Sequence, residues 1–131
     1  YRRTLKEEPE DFEANLQAGS SARHTGDAVA AAAYFHRAEK SRPDSWLPLY
    51  NLACLRAVGG DARTALEQLD LAVRHGFRNP DLLAKDPDLD SVRKSPGYPD
   101  LLAKVQRKAA EPEDPEAPQR RHRRRMGVRG R

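Results

Sequence analysis

Apolar positions between Phe12 and Val73 recur at helical rather than strand spacing. Ala62, Ala65, Leu66, Leu69, Ala72 and Val73 return at intervals of three and four, with Asp61 placed to cap the helix and Gly76 to end it. Ala31, Phe35 and Ala38 follow the same rule behind Asp27. Each of these helices is preceded by another. One runs roughly over residues 12–24, with Asp11 as the expected cap. The other runs over 46–58, with Asp44 or Ser45 as cap and Pro48 in the first turn, where its missing N–H is not needed. Past Gly76 the pattern shortens. Pro80, Pro87, Pro96 and Pro99 separate short helical pieces whose apolar members are Leu82-Leu83, Leu89-Val92 and Leu101-Leu102-Val105. The pattern predicts an all-α fold with strand content near zero.

The two long pairs are related by a shift of 34 residues. Gly26-Asp27-Ala28 falls on Gly60-Asp61-Ala62, Ala31 on Ala65, Phe35 on Leu69 and Ala38 on Ala72. Gly19 falls on Ala53 and Phe12 on Trp46. Identities are few, but they sit where packed helices need a small residue or a turn. Ala31-x3-Phe35 with Pro43, and Ala65-x3-Leu69 with Phe77 in place of the proline, resemble the second half of the tetratricopeptide repeat. The first half of that motif is looser, as Leu49-x2-Leu52-Ala53-x2-Arg56 and Asn15-x2-Ala18-Gly19-x2-Ala22. One further step back sets Tyr1 on Phe35, Lys6 on Lys40 and Pro9 on Pro43, so residues 1–9 read as the second half of a preceding repeat. Repeats are then expected at 10–43 and 44–77, a closing cap at 78–108 and a tail at 109–131. The resemblance implies an α-solenoid of antiparallel helix pairs.

Asp86, Asp88 and Asp90 alternate like the first ligands of a calcium loop. The sixth and twelfth places hold Ser91 and Gly97 instead of glycine and glutamate, and Arg93 and Lys94 bring positive charge. No metal is expected. The stretch from Tyr50 to about Val105 is instead similar to the last repeat and cap of many bacterial tetratricopeptide proteins. It shares "YNLAC", the Gly-Asp turn, "GF", "DPDLDSVR" and a late Pro-aromatic-Leu-Leu spacing. A repeat array needs such a cap because its last member exposes an apolar face. Asp86 and Asp88 are expected to cap a short helix that lays Leu89 and Val92 over that face.

Composition narrows the chemistry. Charged residues are 34% and apolar residues 37% of 131, enough for a modest core. Cys54 stands alone, which excludes an internal disulfide and a cysteine-based zinc site. His24, His36, His75 and His122 share no ligand spacing, and no phosphate-binding loop or nucleophile motif is found, so neither cofactor nor catalysis is expected. Net charge is +4, and the stretch from Glu111 on holds seven arginines against four acids. Pro112, Pro115 and Pro118 punctuate an extended acidic linker. Arg120, Arg121, Arg123, Arg124 and Arg125 follow in a segment without core-forming residues, expected to be disordered and able to hold a polyanion. A cytoplasmic protein is expected.

Function is expected on the inner face of the first helix of each pair, where the resemblance implies binding of a peptide or a partner helix. Glu13, Leu16, Ser20 and Arg23 lie there in the first pair; Leu47, Tyr50, Asn51, Cys54 and Ala57 lie there in the second. Leu47, Tyr50, Cys54 and Ala57 form an apolar stripe apart from Trp46, Leu49, Leu52 and Ala53, so that helix is apolar on two faces. It is either sandwiched by the cap or waiting for a partner. Leu16 and Tyr50 stand where relatives that clamp acidic tails carry lysines. The expected function is a non-catalytic protein-interaction module. The alternatives are a regulatory appendage of an upstream enzyme and a nucleic-acid-associated protein acting through the arginine tail.

Overall fold

The structure is a computed structural model that describes residues 9–112. Of the half-repeat expected at 1–9, residues 1–8 lie outside the described residues, as does the arginine tail, and Pro9 is the first residue of a helix that runs on to His24. Among those described, every regular element is helical. Four long helices, α1 (Pro9–His24), α2 (Ala28–Ser41), α3 (Leu47–Val58) and α4 (Ala62–Arg74), are followed by α5 (Pro80–Lys85), a single 3₁₀ turn (Pro87–Leu89), α6 (Asp90–Arg93) and α7 (Tyr98–Ala110). None is long and apolar enough to cross a membrane.

Two hairpins, α1–α2 and α3–α4, are closed by the same turn chemistry. Gly26 and Gly60 adopt left-handed φ of 88° and 90°, a conformation open to glycine without a Cβ penalty. At the first turn Asp27 N–H donates to the Ala22 carbonyl at 2.8 Å and Gly26 N–H to Arg23 at 3.0 Å. At the second, Asp61 donates to Arg56 at 2.8 Å and Gly60 to Ala57 at 3.1 Å. These are paired Schellman closures that satisfy the last carbonyls of α1 and α3. Each aspartate then turns its carboxylate onto the next helix, Asp27 accepting from Ala30 N at 3.0 Å and Asp61 from Thr64 N at 3.1 Å. The same closure recurs at the end of α4, where Phe77 N–H reaches Ala72 and Gly76 has φ 107°.

Two expected caps differ. α1 begins at Pro9, a favoured first helical residue, so Asp11 lies inside the first turn, with its backbone carbonyl accepting from Asn15. α3 begins at Leu47, so its N-cap place falls to Trp46, which has no capping side chain; the Ser45 hydroxyl, one residue earlier, accepts from the Leu47 N–H at 3.3 Å.

Small residues set the helix spacing. Ala31, Phe35 and Ala38 of α2 are buried with Phe12 and Leu16 of α1 and Leu52 of α3. Ala65, Leu69 and Ala72 take the equivalent places in the second hairpin. Gly19 lies against the Phe35 ring so closely that a Cβ there would stand 2.5 Å from Cε1. In place of Pro43, the second hairpin ends in Phe77, wholly buried with its ring centroid 5.0 Å from Trp46 and 5.2 Å from Tyr50.

The second hairpin is covered by the helices that follow it. Leu83, Leu89, Val92, Leu101 and Val105 are all buried in the core of the second hairpin, and Leu66, Tyr98 and Leu102 pack at its edge. α7 packs on α4, as α3 packs on α2 in the first hairpin.

Candidate functional site

The inner face divides at the boundary between the hairpins. In the second, the segment from Asp86 to Ser91 lies over α3, and Tyr50, Cys54 and Ala57 are buried at 5%, 1% and 4% exposure. The expected stripe is therefore sandwiched, and Tyr50 and Cys54 are corrected from partner-facing to cap-facing residues. The physical reason is the apolar area that Leu89 and Val92 would otherwise leave in water.

A polar network holds the cap down. The Tyr50 hydroxyl donates to Asp86 Oδ2, which also lies 3.9 Å from the Cys54 sulfur. The other Asp86 oxygen accepts from Asp88 N at 3.0 Å, so Asp86 caps the 3₁₀ turn as expected. Asp88 does not join it in capping. Its carboxylate pairs with Arg23, reaching across from α1, and so ties the first hairpin to the cap. Ser91 Oγ donates to the Ala57 carbonyl at 3.0 Å. Arg93 donates to the Leu83 and Asp86 carbonyls at 2.9 and 2.8 Å, satisfying the backbone of the bend.

The ionisation of these groups follows from their setting. Burial pushes the Cys54 thiol up to about 12, and the Asp86 and Asp88 charges add to the effect. Burial and the Asp86 hydrogen bond raise the Tyr50 phenol as well. Burial opposes the charge on Arg23, but the hydrogen bond and charge of Asp88 outweigh it and raise its pKa. Cys54, Asp86 and Asp88 bring possible metal-ligand atoms within 4.8 Å of one another. Both carboxylates already have donors, from Tyr50 and Arg23, and a thiol held protonated at neutral pH is a poor ligand. The arrangement is chemically a latch.

The first hairpin keeps its inner face accessible. Glu13 and Ser20 of α1 are exposed, and Leu47 and Asn51, on the neighbouring α3 of the second hairpin, are half-buried. Leu16 is buried at 8% exposure within the first core cluster. The structure thus separates the expected residues into an open set (Glu13, Ser20, Leu47, Asn51), a latched one (Arg23) and a covered set (Leu16, Tyr50, Cys54). The predicted polyanion contacts Arg120, Arg121, Arg123, Arg124 and Arg125 lie outside the described residues. Sequence reading missed the partners of Arg23 and Tyr50, which are 65 and 36 residues away. The alternating aspartates were the available signal.

Comparison of the chain with protein-family models, with curated proteins and with solved structures finds no match. Its class therefore rests on its own architecture: two helical hairpins in a 34-residue relation, closed by a cap folded over the inner face of the second.

Proposed function

We propose that this chain is a non-catalytic protein-interaction module, the C-terminal end of a tetratricopeptide-like α-solenoid. Its peptide- or helix-binding surface is the inner face of the first hairpin together with the uncovered Leu47 and Asn51 of α3. The reading is carried by one observation: turn, cap and packing residues coincide at the 34-residue shift, while the inner face is sealed over Tyr50, Cys54 and Ala57 and open at Glu13, Ser20, Leu47 and Asn51. A scaffold whose helices are fixed by alanines and glycine at their crossings presents exposed side chains on a rigid surface, which lowers the entropic cost of binding. Glu13, Ser20, Leu47 and Asn51 supply a mixed polar and apolar surface of this kind.

The test is site-specific photo-crosslinking in cells. A crosslinking side chain at Ser20 or Asn51 is expected to trap a defined protein partner, whereas one at the outer positions Arg63 or Glu67 is not. Equal capture from both faces, or capture from the outer face alone, overturns the reading.

A further inference from the structure

The outer seam between α4 and α7 carries a second feature, independent of the inner face. Arg74, Lys104, Arg107 and Lys108 line a shallow cleft of about 290 Å³ together with Asp70 and Glu111. Asp70 is shared by two of the cations, lying 2.7 Å from Lys104 and 3.4 Å from Arg74. Glu111 lies 3.9 Å from Lys108. Two carboxylates thus answer four cations, and the cleft keeps a positive excess.

The described residues end beside this cleft. Arg78 Nη2 donates to the Glu111 carbonyl at 2.7 Å, so the exit of α7 is pinned beside the basic residues. The residues that follow include Glu113, Asp114 and Glu116, spaced by prolines that favour an extended chain. Four residues beyond Pro112 reach at most about 14 Å, so these acids stay within that distance of the Glu111 end of the cleft. Tethering so close to the site gives these acids a millimolar or higher effective concentration, so even a weak site fills.

We propose that the cleft between α4 and α7 is the seat of the acidic stretch at residues 113–116 of the same chain. The clasp is electrostatic, and it fixes the point from which the arginine segment leaves the fold.

The side-chain carboxyls of the intact 131-residue chain can be titrated by carbon-13 NMR at low salt, in the wild type and in the Lys104→Gln/Arg107→Gln variant. Both substituted positions are exposed, and the amide spectrum reports whether the variant keeps its fold. At least one of Glu113, Asp114 and Glu116 is expected to titrate about half a pH unit or more below its ordinary value, roughly a threefold change in proton affinity. The variant should restore the ordinary value. Ordinary values for all three in the wild type overturn the proposal. So does an equal lowering in both proteins, which would assign the pairing to the arginines of residues 120–131.

Discussion

Gly19→Ala is the most informative single change. In an open helix interior it would stabilise the protein by about 1 kcal/mol, because alanine is the better helix former. Here the new Cβ would stand 2.5, 2.7 and 2.9 Å from three atoms of the Phe35 ring, which is 1% exposed and has nowhere to withdraw. Overpacking of this kind costs about 1–3 kcal/mol, so the net effect is a loss of up to about 2 kcal/mol. At the 34-residue shift the pair Gly19 and Phe35 becomes Ala53 and Leu69, both wholly buried in the second hairpin. The second hairpin thus already carries the compensated combination. Phe35→Leu alone should cost about 1–2 kcal/mol through lost packing. With Gly19→Ala it should cost less than the sum of the two single changes by about 1–3 kcal/mol. Urea unfolding of the four proteins in a double-mutant cycle measures this coupling. Additive losses, or a Gly19→Ala protein about 1 kcal/mol more stable than the wild type as in an open helix, would refute the equivalence of the two hairpins.

Three further outcomes follow from the latch and the cap. Tyr50→Phe removes the hydroxyl donor to Asp86 and should cost about 0.5–1.5 kcal/mol in the same assay, whereas Arg23→Ala, at a partly exposed pair, should cost under about 1 kcal/mol and lose its effect in high salt. The Cys54 thiol is raised from 9.0 to about 12 by burial and the neighbouring carboxylates, so the folded state favours the protonated form. Its contribution is full below about pH 9 and is lost as pH rises toward 12, at about 1.4 kcal/mol per pH unit; Cys54→Ala should flatten the slope between pH 9 and 10, measured by urea unfolding at each pH. A variant stopping after Gly97 loses the buried Leu101 and Val105 at about 1.5–3 kcal/mol each and should melt at lower temperature and self-associate, as light scattering would show.

The helices were legible in the sequence because their signals are local. The Gly-Asp turns, the apolar spacing behind Asp27 and Asp61, and Gly76 all act within a few residues, and the structure uses each as read. The expected cap residues Leu89 and Val92 are likewise buried, since the apolar face of the second hairpin must be hidden from water. What was not legible depends on distance along the chain. Arg23 is bound to Asp88 and Tyr50 to Asp86, and neither spacing carries a periodicity that a sequence can display. The apolar stripe of α3 left two outcomes open for the same reason. A covered face and a binding face have the same composition, and only the path of residues 86–91 decides between them. The start of α1 was misplaced because Asp11 is a good cap in isolation, while Pro9 is a better first residue.

Ser20 and Cys54 are equivalent at the 34-residue shift, one exposed and the other buried under the latch, and Cys54 is the only cysteine. Thiol labelling rates in the native protein therefore compare the inner faces of the two hairpins directly. The thiol introduced by Ser20→Cys in a Cys54→Ala background should react as fast as one in an unfolded peptide. Cys54 itself should react about a hundredfold slower or more, limited by opening of the cap. Equally fast labelling at both positions would mean that the cap does not cover the second hairpin, and would contradict the account.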